Sequence, residues 1–164
     1  MPKSPMIQLR HHRQEHSASC LAACVVMVLS YWQIEISEAD VRRIIKTKPW
    51  SGAHPVNLLR LSELGLETWL SDGTLDDLRQ QLNRGRPVIV FLWTGALRYW
   101  AEQSGVDYLH AVVVVGWTQM TVSVHDPVLS SGPIDIAWAE FKDAWAYSRQ
   151  MMATIESRQI LVNG

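Results

Sequence analysis

The segment HRQEHSASCLAAC, residues 12–24, places several chemically reactive side chains directly before an apolar run. Three residues separate Cys20 from Cys24, which excludes a CxxC redox pair, and a disulfide between them on one helix would be awkward. On a single helix, His12, His16 and the two cysteines would span about 18 Å, too far to surround one zinc ion at bond lengths of ~2.0–2.3 Å. We therefore expect neither a metal nor another cofactor here.

Cys20 is the stronger candidate for a nucleophile. The sequence predicts that a helix begins at this residue, and a helix start lowers a thiol pKa from its usual value of about 8.5. Cys24 lies one turn deeper in the apolar run, so we expect it to be a small buried core residue. A thiolate nucleophile also needs an imidazole base, which must come from elsewhere in the chain.

The second half of the chain offers suitable partners. His110 opens the run AVVVVGW, and Asp126-Pro127 closes the next short extended segment. Two antiparallel strands joined by a turn would place His110 beside Asp126, whose carboxylate would fix the imidazole tautomer as in a catalytic triad. The alternative left open is a strand-end histidine satisfied by backbone groups, with Asp-Pro only starting a turn.

Gln14 precedes Cys20 by six residues, a separation that an intervening turn can close. A glutamine amide and the backbone N–H of the nucleophile can together bind the oxyanion of a tetrahedral intermediate. The other interpretation is an ordinary surface glutamine.

The elements that must position these residues follow from periodicity and caps. Residues 20–32 are apolar on nearly every face, which predicts a buried helix capped by Ser17 or Ser19. Further helices are predicted after Ser37, over about 55–64 ending at Gly65, from Thr74 to Gly85, and over 138–146; strands are predicted at 87–93, 109–117, 121–127 and 151–157. Helices followed by mostly antiparallel strands indicate an α+β fold.

Length and composition restrict the class of protein. The chain has 164 residues, 48% of them apolar, which fits one globular domain over 1–164 with a core at about 8–157. A formal net charge of -1 provides no basic field, so we expect no nucleic-acid partner and no membrane segment. With two cysteines and no signal peptide apparent, a cytoplasmic location is expected, and the oligomeric state is left open.

Several motifs together resemble a known family. Gln14 and Cys20 with the following LAACVVMVLSYW, then ISEADVRRII, NLLRLSELGLET and LDDLRQQLNRGRPVIVFL, and finally HAVVVVG and VHDP, occur in the order and spacing of the bacteriocin-processing (double-glycine leader) peptidase family. The resemblance covers about residues 8–148. It implies a papain-like cysteine peptidase fold, with the cysteine on the helical half and the histidine and aspartate on a mostly antiparallel sheet.

The resemblance also implies roles for four residues. Cys20 would be the nucleophile, His110 the general base and acid, Asp126 the orienting carboxylate, and Gln14 the oxyanion donor. The chain departs from the common Asp-Cys-Gly pattern, because Leu21 follows the cysteine. The expected function is hydrolysis of a peptide bond in a peptide or protein substrate; the alternatives are a catalytically silent peptide- or leader-binding module and an acyltransferase that uses the same acyl-enzyme.

Two further interpretations concern the surroundings of this site. Residues 94–108 either line the cleft, with Trp93, Tyr99 and Trp100 as apolar walls, or form an amphipathic surface helix. By strand alternation His125 points away from His110, and the remaining histidines have no evident partner, so we expect them at the surface.

Overall fold

The computed structural model describes residues 2–102 and 105–157. The α-helices are α1 (Cys20–Tyr31), α2 (Glu38–Ile44), α3 (Leu75–Asn83) and α4 (Trp138–Ala146). The strands are β1 (Leu66–Asp72), β2 (Val88–Trp93), β3 (Leu109–Trp117), β4 (Thr121–His125), β5 (Ile134–Ala137) and β6 (Met151–Ser157). Three 3-10 helices cover Pro55–Leu64, Thr94–Ala96 and Arg98–Glu102. Among the described residues, no helix is long and apolar enough to cross a bilayer.

The strands form one sheet in the order β1-β6-β2-β3-β4-β5, and neighbouring strands pair antiparallel. The expected hairpin of β3 and β4 is confirmed. The two edge strands, β1 and β5, were not predicted. Both are largely half-exposed or exposed, and they lack the continuous β-branched run that marks the central strands.

The first helix is buried around most of its circumference, as its apolar composition predicts. It packs against β3, the strand that contains His110. The side-chain cap predicted for this helix is wrong. Ser19 occupies the cap position, but its hydroxyl accepts a hydrogen bond from the backbone N–H of His16 and donates one to the carbonyl of the same residue. Ser19 thus closes the preceding turn and leaves the first amides of α1 without a side-chain acceptor.

The helix starts predicted after Ser37 and at Thr74 are confirmed, and both residues act as side-chain caps. Ser37 accepts from the N–H of Asp40, and Thr74 exchanges two hydrogen bonds with Asp77 in a capping box. The segment at 55–64 is a 3-10 rather than an α-helix, and it ends at Gly65, whose φ of 75° is readily adopted by glycine.

Candidate active site

Cys20 is the first residue of α1 and is partly exposed, whereas Cys24 is fully buried. The first N–H groups of a helix have no intrahelical acceptor and lie at the positive end of its dipole, which favours a thiolate at this position. Burial raises the pKa of the Cys24 thiol well above its ordinary value. Cys24 is therefore the buried core residue that the sequence predicted.

His110 and Asp126 are brought together by the β3–β4 hairpin. The register places Val113 opposite His125, so that Asp126, the residue after β4, reaches diagonally to His110 on the same face. The two side chains are buried, and His110 Nε2 lies 2.6 Å from Asp126 Oδ1. The backbone N–H of Val128 donates to the same oxygen at 2.9 Å. The sequence-predicted neighbours thus meet in the structure.

Cys20 lies beside His110, and each shifts the pKa of the other, so three side chains stand in a row. Nε2 of the imidazole faces Asp126, so Nδ1 is the nitrogen available to the sulfur, and the hydroxyl of Tyr108 also lies 3.4 Å from Nδ1. The backbone of Ala111, the next residue on β3, also lowers the pKa of the thiol. The docking of α1 on β3 therefore joins a helix start from the first half of the chain to a strand from the second half.

The electrostatics of this series favour a thiolate beside an imidazolium. Burial raises the pKa of the Cys20 thiol, but the hydrogen bond and charge of His110, with the bond from Ala111, outweigh it and lower the net pKa. Burial lowers the pKa of His110, while hydrogen bonds to Asp126 and Cys20 outweigh this effect and raise it to about 9. Burial likewise raises the pKa of Asp126, but the bonds from His110, Tyr99 and Val128 bring it below its ordinary value.

Gln14 lies beside the same loop. Its backbone N–H donates to the carbonyl of Pro127 at 2.8 Å, which ties the segment before the cysteine to the segment after Asp126. Its amide Nε2 donates to the carbonyls of His16 and Ser17 at 2.8 and 3.1 Å. The turn that leads into α1 therefore fixes the orientation of this amide.

A cleft of about 770 Å³ opens at Cys20. Its inner wall is apolar, with Leu21, Phe91, Ala111 and Met151, and its rim bears the exposed side chains of Trp50, Val106 and Tyr147. Trp50 is 96% exposed at the tip of a tight loop, which is closed by two backbone hydrogen bonds between Lys48 and Gly52. The cleft therefore offers apolar contacts around the sulfur of Cys20.

The expected aromatic walls of this cleft were assigned to the wrong residues. From residues 94–108, it is residues 106–108 that line the cleft. Tyr99 and Trp100 instead pack behind the pair of His110 and Asp126: Trp100 is buried with its ring centroid 4.6 Å from that of His110, and the hydroxyl of Tyr99 contacts Asp126. The ring of Trp93 stacks on that of Tyr147, with the ring centroids 5.4 Å apart. Chain periodicity could not indicate this, because the segment folds as short 3-10 turns.

Two of the N-terminal histidines that were expected to lack partners have them. His11 Nδ1 lies 2.9 Å from Nδ1 of His125, and its Nε2 lies 2.7 Å from the carbonyl of Leu129. His125 thus faces away from His110, as strand alternation predicted. His12 Nε2 is 3.2 Å from Glu38, a residue buried at the start of α2. These contacts attach the N-terminal segment to the body of the fold.

One cluster among the described residues has donor atoms close enough for a metal ion. His12, Glu15 and Glu38 bring one donor atom each within 4.8 Å of one another. However, the guanidinium of Arg42 lies 3.3 Å from Glu38 and 3.7 Å from Glu15, and the backbone N–H of Glu15 donates to both oxygens of Glu38. The carboxylates therefore already have a cationic partner, and the cluster is an ion-pair network.

The papain-like cysteine peptidases have a cysteine at the start of a central helix, beside a histidine on an antiparallel sheet and next to a cleft. The arrangement of Cys20 and His110 is the same. The sequence model of the Peptidase C39 family matches residues 8–159, and the chain belongs to this family. The predicted resemblance and the α+β fold are thereby confirmed, and the chain is a cysteine peptidase by family.

Solved structures show the same fold. A C39-like peptidase from Bacillus anthracis has a TM-score of 0.78 at 16% identity, over 96% of this chain and 99% of that one. The peptidase domain of Streptococcus ComA, a bi-functional ABC transporter involved in quorum sensing, has a TM-score of 0.71 at 18% identity, over 92% and 98%. A double-glycine motif protease from an AMS/PCAT transporter, solved with its leader peptide, has a TM-score of 0.70 at 19% identity, over 93% and 94%. A comparison with curated protein sequences finds no match.

Proposed function

We propose that this chain hydrolyses a peptide bond with Cys20 as nucleophile, His110 as general acid and base, and Asp126 as the carboxylate that orients the imidazole. The observation that supports the proposal is the row of Cys20, His110 and Asp126 beside an open cleft: Cys20 and His110 shift each other's pKa, and His110 Nε2 lies 2.6 Å from Asp126 Oδ1. The lowered pKa of Cys20 and the raised pKa of His110 agree with a thiolate–imidazolium pair, the reactive form of a thiol peptidase.

The reaction follows from this pair. The Cys20 thiolate attacks the carbonyl carbon, forming a C–S bond and a tetrahedral oxyanion. As the C–N bond breaks, the imidazolium of His110 gives its proton to the leaving amine. Neutral His110 then removes a proton from water, which attacks the thioester and releases the acid product with the free thiolate. Asp126 keeps the imidazole in the required orientation during both proton transfers.

For the oxyanion we propose two donors, the backbone N–H of Cys20 and the amide of Gln14. The first-turn N–H has no intrahelical acceptor and receives no side-chain cap from Ser19. The Gln14 amide already donates to two backbone carbonyls, so it must redirect one N–H towards the oxyanion as the intermediate forms. This requirement makes the Cys20 N–H the better prepared of the two donors.

The cleft also suggests what the substrate contributes. A relative with this fold was solved with a leader peptide, and we propose that the cleft here accepts an extended peptide. The apolar inner wall and the exposed side chains of Trp50, Val106 and Tyr147 favour apolar substrate side chains on both sides of the sulfur. Leu21, where many relatives have glycine, occupies part of the inner wall beside the nucleophile, so the fit to a double-glycine motif is a separate question from peptidase activity.

The test is cleavage of a mixture of synthetic peptides, followed by mass spectrometry. We expect Cys20→Ala to abolish cleavage and Cys24→Ala, the matched control, to keep it; Gln14→Ala should lower kcat by about 10²–10³-fold if its amide binds the oxyanion. Performing the reaction in ¹⁸O-water should place one heavy oxygen in the new carboxylate. Cleavage by Cys20→Ala would contradict the nucleophile assignment, and an amine adduct in place of the carboxylate would indicate acyl transfer.

A further inference from the structure

The proposed catalytic carboxylate has a contact that the three-residue series does not use. Oδ1 of Asp126 accepts from the backbone N–H of Val128 and faces His110 Nε2, while Oδ2 accepts a 2.6 Å hydrogen bond from the hydroxyl of Tyr99. The carboxylate thus has donors at both oxygens in a buried setting. Since the Tyr99 bond is charge-assisted and short, it belongs to the stronger class of hydrogen bonds.

The hydroxyl of Tyr99 is held in place by its surroundings. Tyr99 lies in the 3-10 helix Arg98–Glu102, where the backbone N–H of Trp100 donates to Leu97 at 3.1 Å. The next residue, Trp100, is buried and covers the ring of His110. Burial and the adjacent Asp126 raise the pKa of Tyr99, so the phenol keeps its proton and acts as the donor.

We propose that Tyr99 is a positioning residue for catalysis, whose hydroxyl holds Oδ2 of Asp126 so that Oδ1 remains directed at His110. The inference rests on the proposed function, since it gives Tyr99 a role only if Asp126 orients His110. It also assigns a role to residues 94–108 that neither a cleft wall nor a surface helix would have. In this arrangement the 3-10 turn supports the catalytic pair from behind while residues 106–108 face the substrate.

The consequence of removing the hydroxyl follows from the geometry. The two other donors, His110 and Val128, both bond to Oδ1, so without Tyr99 the far oxygen is unrestrained and only the bonds at Oδ1 oppose rotation of the carboxylate about its Cβ–Cγ bond. A rotated carboxylate bonds His110 less well. The hydrogen bond to Asp126 contributes most to raising the pKa of His110, so this pKa should then fall. The imidazolium that stabilises the Cys20 thiolate would therefore be present over a narrower pH range.

The experiment compares Tyr99→Phe with Tyr31→Phe in peptide hydrolysis from pH 5 to 10. Tyr31 is the matched control, since its hydroxyl also makes a short bond, 2.7 Å to the carbonyl of Gly85, but remote from the site. For Tyr99→Phe we expect kcat to fall roughly ten-fold, KM to stay within about two-fold, and the alkaline limb of the pH profile, near pH 9 in the parent chain, to move to lower pH. Tyr31→Phe should leave both limbs where they are.

Three outcomes are distinguishable. A shifted alkaline limb in Tyr99→Phe alone supports the positioning role. Unshifted limbs in Tyr99→Phe, with or without a lower rate, overturn it, because a merely structural tyrosine lowers the amount of active protein without changing the pH profile. Should His110→Asn keep full activity, the proposed function itself fails, and this result does not depend on any variant of Tyr99.

Discussion

Replacing His110 should reverse the direction in which the pKa of Cys20 departs from its ordinary value. Burial is the largest influence on this thiol and raises its pKa; the hydrogen bond and charge of His110 are the two largest influences that lower it. In His110→Asn the side chain remains polar but cannot carry a charge. What remains is burial and the charge of Asp126, both of which raise the pKa, against one hydrogen bond from Ala111. The thiol pKa should therefore lie above its ordinary value in the variant.

The size of the effect can be stated as a rate. A thiol with a pKa of about 9 or more is at most ~1% thiolate at pH 7, and each unit by which the pKa is lower multiplies that fraction by about ten. Iodoacetamide reacts with the thiolate, so we expect alkylation of Cys20 at pH 7 to be at least about ten-fold slower in His110→Asn.

The assay follows alkylation against pH, and tandem mass spectrometry separates Cys20 from Cys24. Cys24 serves as an internal control, because it is fully buried and should stay unlabelled in both proteins while they are folded. Equal rates for Cys20 in the two proteins at pH 7 would refute the thiolate–imidazolium pair. Labelling of Cys24 before Cys20 would refute the assignment of the nucleophile.

Two more predictions concern binding and stability. Trp50→Ala should raise KM about ten-fold for peptides with apolar side chains at unchanged kcat, because a contact at the cleft rim acts on binding alone. Trp69→Ala, which removes another exposed tryptophan on β1 outside the cleft, should have no effect, and equal effects of both would exclude a specific contact. Burial and the adjacent His11 lower the pKa of His125 to about 4, so between pH 7 and 5 the unfolded chain gains a proton that the folded chain does not accept. The free energy of unfolding, measured by urea titration, should therefore fall by about 2 kcal/mol more in the parent than in His125→Gln over this range. If the two proteins lose the same free energy of unfolding between pH 7 and 5, the folded chain does not hold His125 as a buried neutral ring.

Local signals in the sequence were sufficient for much of the fold. The caps at Ser37 and Thr74 depend on side chains bonding to amides three residues ahead, so they can be recognised without knowing the rest of the chain. Central strands are marked by β-branched runs because both faces are buried. The edge strands β1 and β5 were not predicted. An edge strand is held by pairing with a single neighbour, and this pairing does not require a distinctive amino-acid composition.

By itself the sequence indicated that a hairpin brings His110 near Asp126, but the turn alone does not fix their register. A bulge between Val114 and Gly116 shifts the pairing by one residue, and this shift puts the two side chains on the same face. The sequence also determined that Cys20 rather than Cys24 begins a helix. Only the tertiary structure decided that α1 packs on β3 and brings this sulfur to His110, and that Tyr99 reaches Asp126 from behind. Such contacts depend on how side-chain shapes pack between distant segments, and no local propensity or period encodes that fit.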